Sequence, residues 1–476
     1  MTPEEFRSAG HELIDWIADL RENVADMPVL AQVSPGEVRS KFSIEPPAET
    51  VSFESLLTEV EAKVLPGITQ MQHPMNYGWF PANASLASVL GDIASSGISS
   101  IGISWESSPA LTEVEEVVCN WMRQLVGLSD SWRGTIQDTA SSACLVALLV
   151  ARERACDLAQ NRGGTQSLES PLVVYSTPQA HSSVAKAALL AGFGWDNIHM
   201  VDVDPNSYAM KADSLAEAMV ADVAAGKIPA AVVAAVGTTG TTAMDPVADI
   251  VTVASRHNVF VHVDAAMAGT AMLLPECRHL WEGVEGADSI SWNPHKWMGT
   301  ILDTSLFYVR DVALLERVMS TNPSYLQSTA DGAVTQYRDW GIPLGRRFRA
   351  LKLLFHLRLD GIESVRERVR GDLANAKWLE AQVRHADQWQ LCAPVDLQTV
   401  CVRHVPGGLA DEALDEHTLG WVRHINDSGA AFLTPSILDG RWMARVSIGV
   451  MSTERSHVEQ LWELMTEAAN NHRSAT

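Results

Sequence analysis

From residue 171 onward, short apolar segments alternate with helical ones, and that alternation constrains the fold more than any other feature of the chain. Leu172 to Ser176, Ile198 to Val203, Ala231 to Val236, Val259 to Val263, Ser289 to Trp292 and Ser305 to Val309 are each rich in β-branched or aromatic residues. Helix-like stretches lie between them, at Ser182 to Leu190, Ser214 to Ala225 and Val247 to His257. Strands that are apolar on both faces and alternate with helices predict an α/β architecture, a mainly parallel sheet covered on both sides. In such sheets ligands bind in the crevice beyond the carboxyl ends of the strands, so chemistry is to be read from the residues that follow each strand.

The flanking regions read differently. Thr2-Pro3-Glu4-Glu5 is a helix start, with Thr2 as N-cap and Glu5 placed to close a capping box. Phe6, Leu13, Ile17 and Leu20 then recur on one face. The stretch to about residue 83 adds helical pattern from Phe53 to Val64 but is broken by Pro28, Pro35, Pro46, Pro47 and Pro66. It cannot bury its apolar stripes alone and is expected to pack on another domain or subunit. After about Ala350, helices mix with short strands such as Met443 to Ile448. Three regions are therefore expected: a helical segment over 1–83, a large α/β domain over 84–349 and a small α+β domain over 350–476.

Charge narrows the partners. With 58 acidic and 35 basic side chains the net charge is −23, which argues against nucleic acid or an anionic membrane and means that any phosphate must be held by local geometry. No apolar run approaches the roughly 18 residues of a membrane span, and the first residues lack the pattern of a secretory signal. A soluble, cytoplasmic protein is expected. Cys119, Cys144, Cys156, Cys277, Cys392 and Cys401 are scattered without metal-ligand spacing, which suits reduced thiols and no metal site.

Four residue types converge on the strand ends. Ala180-His181-Ser182-Ser183 follows the first of the listed strands, Gly237-Thr238-Thr239-Gly240 the third, Asp264 the fourth and Asn293-Pro294-His295-Lys296 the fifth. Thr139-Ala140-Ser141-Ser142 opens the helix through Leu145 to Ala155, where free N–H groups and the helix dipole favour a phosphate. Each residue alone has an ordinary reading as a cap, turn or snorkelling side chain. Together, an amine, a carboxylate, an imidazole and an anion site suit pyridoxal phosphate, whose aldehyde needs a lysine, whose ring nitrogen needs a carboxylate and whose phosphate needs donors. Lys296 is the best lysine, since it follows a buried strand; Lys186, Lys211 and Lys227 sit in amphipathic or loop contexts.

His181-Ser182-Ser183, His262-Val263-Asp264-Ala265-Ala266, Asn293-Pro294-His295-Lys296-Trp297 and Pro343-Leu344-Gly345-Arg346-Arg347-Phe348-Arg349 resemble the aromatic L-amino acid decarboxylases, the group II pyridoxal-phosphate-dependent decarboxylases. The resemblance runs from Thr2 to at least His457. It implies the type I aminotransferase-like fold, with a mainly parallel seven-stranded sheet. It also implies a homodimer with the N-terminal helices exchanged and active sites at the subunit interface. By the same resemblance Lys296 condenses with the cofactor, Asp264 pairs with its ring nitrogen, His181 stacks on the ring, and Ala140, Ser141, Thr239, Asn293 and His295 hold the phosphate and ring substituents. Tyr325, in Asn322-Pro323-Ser324-Tyr325-Leu326, would be the proton donor on a closing loop that continues from Gln327 to Gln336 with Ser328, Thr329, Ala330, Asp331 and Gly332. Family members with phenylalanine at that position resemble oxygen-consuming aldehyde synthases, so tyrosine favours simple decarboxylation.

The resemblance places the substrate pocket at Tyr77 to Ala82 and Ile101 to Ile103. Animal enzymes acting on DOPA typically show tyrosine, threonine and phenylalanine where this chain has Trp79, Ala82 and Ile103. Apolar walls from Trp79, Phe80, Ala82, Ile101 and Ile103 reject an added hydroxyl only weakly, so tryptophan and phenylalanine are expected as substrates, with tyrosine or DOPA tolerated. Gly345 agrees, since plant relatives with glycine there resemble the indole-preferring branch. The alternatives are an aldehyde synthase on the same scaffold and a cofactor-binding scaffold without turnover.

Overall fold

The alternating pattern becomes a seven-stranded sheet. The computed structural model describes residues 1–327 and 329–473, so Ser328 of the expected closing loop lies outside the described residues. The chain starts with helices α1 (Pro3–Glu22), α2 (Glu37–Ser40), α3 (Phe53–Glu59), α4 (Leu86–Ile98) and α5 (Pro109–Leu125). Strand β1 (Arg133–Gln137) leads into α6 (Ala140–Ala155). There follow β2 (Leu172–Ser176), α7 (Ser182–Leu190), β3 (Ile198–Met200), α8 (Ala212–Ala224), β4 (Ile228–Ala235), α9 (Val247–Ser255), β5 (Phe260–Asp264), β6 (Ser289–Trp292) and β7 (Ser305–Val309). Helices α10 (Val312–Met319), α11 (Ala350–Leu359) and α12 (Ile362–His385) come next. The chain ends with β8 (Trp389–Leu391), β9 (Thr399–His404), α13 (Asp411–Ser428), β10 (Thr434–Leu438), β11 (Arg441–Ser447) and α14 (Arg455–Arg473).

The large sheet has the order β1-β7-β6-β5-β4-β2-β3. Strands β2 to β6 run parallel, and β7 is antiparallel to both of its neighbours. The reversal follows from chain length, since the connection between β6 and β7 has no crossover helix to return the chain to the other end. Sheet and helices bury α6 on almost every side, with Ala143, Cys144, Val146, Ala147 and Leu148 all without exposed surface. Edge strand β1 carries no apolar alternation to announce it. Its Gly134 is required by packing, because a Cβ there would lie 2.5 Å from the Tyr308 ring.

Two compact units emerge. The larger comprises Ala82–Leu373 and Ala393–Thr399; the smaller comprises Met1–Pro81, Ala374–Cys392 and the chain from Val400 onward. Residues 350–373, expected with the C-terminal strands, sit in the larger unit because α11 packs on α4: a Cβ on Gly91 would meet the Leu351 carbonyl oxygen at 2.7 Å. The N-terminal segment belongs with the antiparallel sheet β10-β11-β9-β8. The Tyr77 N–H donates to the Phe432 carbonyl at 2.9 Å, and the Ser447 N–H to the Tyr77 carbonyl at 3.0 Å. The expected capping box of Thr2 and Glu5 is present on α1. Among the described residues no helix is long and apolar enough to cross a membrane, and all six cysteines are free thiols.

Candidate active site

Strand register assembles the site. Ala235 on β4 pairs with Asp264 on β5, and Asp264 with Ser291 on β6. Beyond the last paired residues the Val236 N–H donates to the Asp264 carbonyl, the Ala265 N–H to Ser291 and the Asn293 N–H to Ala266, each at 2.9 Å. The loops after the three strands are thereby laced together around Asp264, which is 8% exposed and accepts the Ala266 N–H on Oδ1 at 3.0 Å.

His181 caps α7, its Nδ1 lying 2.7 Å from the Ser183 hydroxyl and accepting the Ser183 N–H at 3.2 Å. Burial, with the charge of Lys296 adding to it, holds His181 below the ordinary histidine range, while Asp264 pulls the other way. His181 therefore lies within electrostatic reach of both Lys296 and Asp264. The charge of Asp264 also reaches Cys144 in the second turn of α6, whose thiol burial pushes up.

Lys296 occupies the turn Pro294–Met298 and departs from helical geometry at φ −99°, ψ −113°. Beside it, His295 Nδ1 accepts the Thr304 N–H at 2.9 Å. Burial, reinforced by Lys296, lowers His295 to about 4, so the ring is neutral near pH 7. Asn293 Oδ1 is a buried acceptor without a hydrogen-bond partner, the signature of a group that waits for something the protein alone does not supply. At the start of α6 the Thr139 side chain makes no capping bond, so the first-turn N–H groups of Ala140 and Ser141 receive no acceptor from their cap. Thr239 is exposed on the loop after β4. A carboxylate, an amine, a neutral imidazole, an orphaned acceptor and uncapped helix donors fit pyridoxal phosphate.

Tyr325, in the short turn Ser324–Leu326, is 79% exposed. A cavity of about 900 Å³ walled by Trp105, Glu116, Glu316, Asn322, Asp331 and Trp340 adjoins its loop. In the larger unit Ile101 and Gly345 are neighbours, the Gly102 N–H donating to the Arg346 carbonyl at 2.9 Å and a Cβ on Gly345 falling 3.4 Å from Ile101 Cδ1. Ile103 and Ala82 are half-buried in the same unit.

Trp79 and Phe80 belong to the smaller unit. Trp79 takes a left-handed conformation, φ +50°, which a bulky residue keeps only when its surroundings impose it. Thr434 Oγ1 accepts its N–H at 2.6 Å, the Arg445 guanidinium donates to its carbonyl, and its ring meets Phe432 edge-on at 4.8 Å. Arg445 also lies over the Phe80 ring at 4.3 Å. Burial lowers Arg445 to about 10, and its Nε and Nη2 have no partner.

Residues outside the expected set support the site. His262, wholly buried on β5, contacts the hydroxyls of Ser289 at 2.8 Å and Ser291 at 3.3 Å, and burial lowers it to about 4. Arg368 and Asp372 on α12 hold the turn around Lys296. No spacing in the sequence signals them, since an i,i+4 Arg–Asp pair on a helix reads as a solvated face.

Comparison with known proteins identifies the family. Residues 35–405 match the family described as the pyridoxal-dependent decarboxylase conserved domain. The chain is 38% identical to a phenylacetaldehyde synthase of Arabidopsis thaliana, covering 99% of this chain and 97% of that protein. It is 36% identical to a tryptophan decarboxylase of Oryza sativa subsp. japonica, over 98% and 95% of the two chains. The crystal structure of an Oryza sativa TDC with PLP and tryptamine superposes with a TM-score of 0.96 at 36% identity, covering 99% of both chains.

Proposed function

The chain belongs to the pyridoxal-dependent decarboxylase family, and from that premise we propose that it decarboxylates an aromatic L-amino acid to the amine and CO2. Tryptophan and phenylalanine are the preferred substrates, and tyrosine or DOPA is tolerated. What supports the reading is that His181, Asp264 and Lys296 lie at or beyond the carboxyl ends of parallel strands and that the charges of Lys296 and Asp264 both act on His181.

Pyridoxal phosphate, when bound, supplies an aldehyde for an amine and a cationic ring that takes up the electron pair left by departing CO2. Lys296 would provide the amine that holds the group. Asp264 would keep the proton on the ring nitrogen. His181, held towards its neutral form, would lie against the ring. The N–H groups of Ala140 and Ser141, with Thr239, Asn293 and His295, bind the phosphate and ring substituents. Tyr325, carried on its loop, delivers a proton to the substrate Cα. Trp79, Phe80, Ala82, Ile101, Ile103 and Gly345 offer apolar contacts to the substrate side chain. The smaller unit supports part of that assignment by holding Trp79 half-exposed in a fixed backbone conformation.

The working form is a cytoplasmic homodimer with active sites at the subunit interface. Helix α1 supports this, since none of its twenty residues is fully buried and Phe6 is 67% exposed. Purified enzyme with cofactor is expected to release CO2 and amine from tryptophan and phenylalanine; no CO2 from any of the four aromatic amino acids overturns the reading. The relative named phenylacetaldehyde synthase favours a second reading, decarboxylation coupled to oxidation by O2. Hydrogen peroxide and ammonia formed in step with CO2 would support it, whereas the tyrosine at 325 speaks for the first. Tyr325→Phe is expected to cut amine formation by roughly 10²-fold and to raise peroxide relative to CO2.

A further inference from the structure

We infer that Arg368 and Asp372 on α12 are positioning residues that fix the direction of the Lys296 amine. The inference rests on the reading of Lys296 as the condensing amine. The turn that carries Lys296 cannot rely on a regular helical ladder, because the backbone leaves helical geometry at the lysine itself. Inside the turn the Lys296 N–H donates to the Asn293 carbonyl at 3.0 Å, and the N–H groups of Gly299 and Thr300 both donate to Pro294 at 3.1 Å.

The carbonyls of Trp297 and Met298 are satisfied from elsewhere. Arg368 Nη2 donates to both, at 2.6 Å and 2.8 Å. The Trp297 ring is wholly buried and gives its Nε1 proton to Asp372 Oδ2 at 2.8 Å. The same carboxylate oxygen accepts Arg368 Nη1 at 3.2 Å. Main chain and side chain of the residue after the lysine are thus tied to one ion pair on a helix 75 positions further on.

The residue before the lysine is tied separately, through the Thr304 N–H donating to His295. With both neighbours held, the freedom left to Lys296 is that of its own side chain, which is what a reacting amine needs in order to present one face repeatedly. An exposed i,i+4 ion pair contributes little. Here Asp372 is buried, Arg368 keeps only 15% of its side chain exposed, and the pair makes three further bonds at the lysine turn.

The test uses full-length holoenzyme. Trp297→Phe removes the indole N–H while keeping a buried ring, and Asp372→Asn neutralises the shared carboxylate. Each is expected to lower kcat at least fivefold with KM within twofold of wild type. Each is also expected to lower, at least twofold, the fraction of cofactor that borohydride fixes to residue 296, read by peptide mapping. Arg368→Lys, which keeps a charge but reaches fewer acceptors, is expected to fall between wild type and Asp372→Asn. Should Asp372→Asn fail to fold, Trp297→Phe decides. Wild-type kcat together with a wild-type fixed fraction overturns the inference, even if the melting temperature drops, because a merely structural role moves only stability. Label on another lysine of the wild-type enzyme overturns the assignment of Lys296 first, and is seen before any variant is made.

Discussion

Asp264 ends β5 with one carboxylate oxygen taken by the Ala266 N–H, and its charge acts on His181, His262 and Cys144 at once. Asp264→Asn preserves that acceptor and removes the charge, so kcat is expected to fall by about 10²–10³-fold with a smaller change in KM; steady-state kinetics check it, and a variant at full rate would count against the proposed role. The buried imidazoles make a second prediction. His262 and His295 have folded-state values of about 4, below the ordinary 6.5. Their contribution to stability is therefore whole above pH 6.5 and lost as the pH falls towards 4, at about 1 kcal/mol per pH unit for each ring. Urea denaturation between pH 6.5 and 5.5 reads the slope, and His262→Gln should shed about half of this share. Lys296, Asp264, His181, Asn293 and His295 stand out in the sequence as candidates because each ends or follows an apolar strand, and in a parallel sheet such residues are sent to one rim. The backbone strain at Trp79 and the residues Phe432, Thr434 and Arg445 that hold it were not legible there, because those interactions come from more than 350 positions away.

Among elements, the stretch Pro343 to Arg349 shows a recognisable motif acting as scaffold. Arg346 is buried, donates to Glu115 at 2.6 Å and also reaches Thr135 Oγ1 and the Ile136 carbonyl at 3.0 Å, joining its own segment to α5 and β1. Its neighbours bind outward, Arg347 to Asp92 at 2.9 Å and Arg349 to Asp303 at 2.8 Å. Arg346→Met would leave Glu115 buried without its countercharge, and a loss of about 3–5 kcal/mol of stability is expected. Denaturant titration of the variant beside Glu115→Gln/Arg346→Met tests this, since the double variant should recover part of the loss. Six of the seven sheet strands could be read from apolar runs. Strand β1 could not, because Arg-Gly-Thr-Ile-Gln is specified by the space beside Tyr308 and by Glu115 rather than by periodicity. Strand β3 stops at Met200, earlier than the apolar run to Val203 suggests, because Val203 forms only an isolated bridge to Met210.

For the whole molecule, the sequence conveyed the α/β class. It did not convey that residues 1–81 and the C-terminal strands make one unit, because that pairing rests on backbone bonds such as Tyr77 to Phe432, which leave no trace in composition. Helix α1 carries Phe6, Leu13 and Ile17 along a face that none of the described residues fully covers. Replacing Phe6 and Leu13 together by glutamate is expected to shift a dimer to monomer, by sedimentation, and to lower activity by tenfold or more, since about 25 cal/mol is lost for each Å² of apolar surface left uncovered. An unchanged sedimentation coefficient would remove α1 from the interface. If that face is indeed covered only by a second copy, turnover per mole of protein ceases to be a constant. It should sag as the enzyme is thinned out in the cuvette and return when protein is added back, so that catalytic power reports how crowded the molecules are.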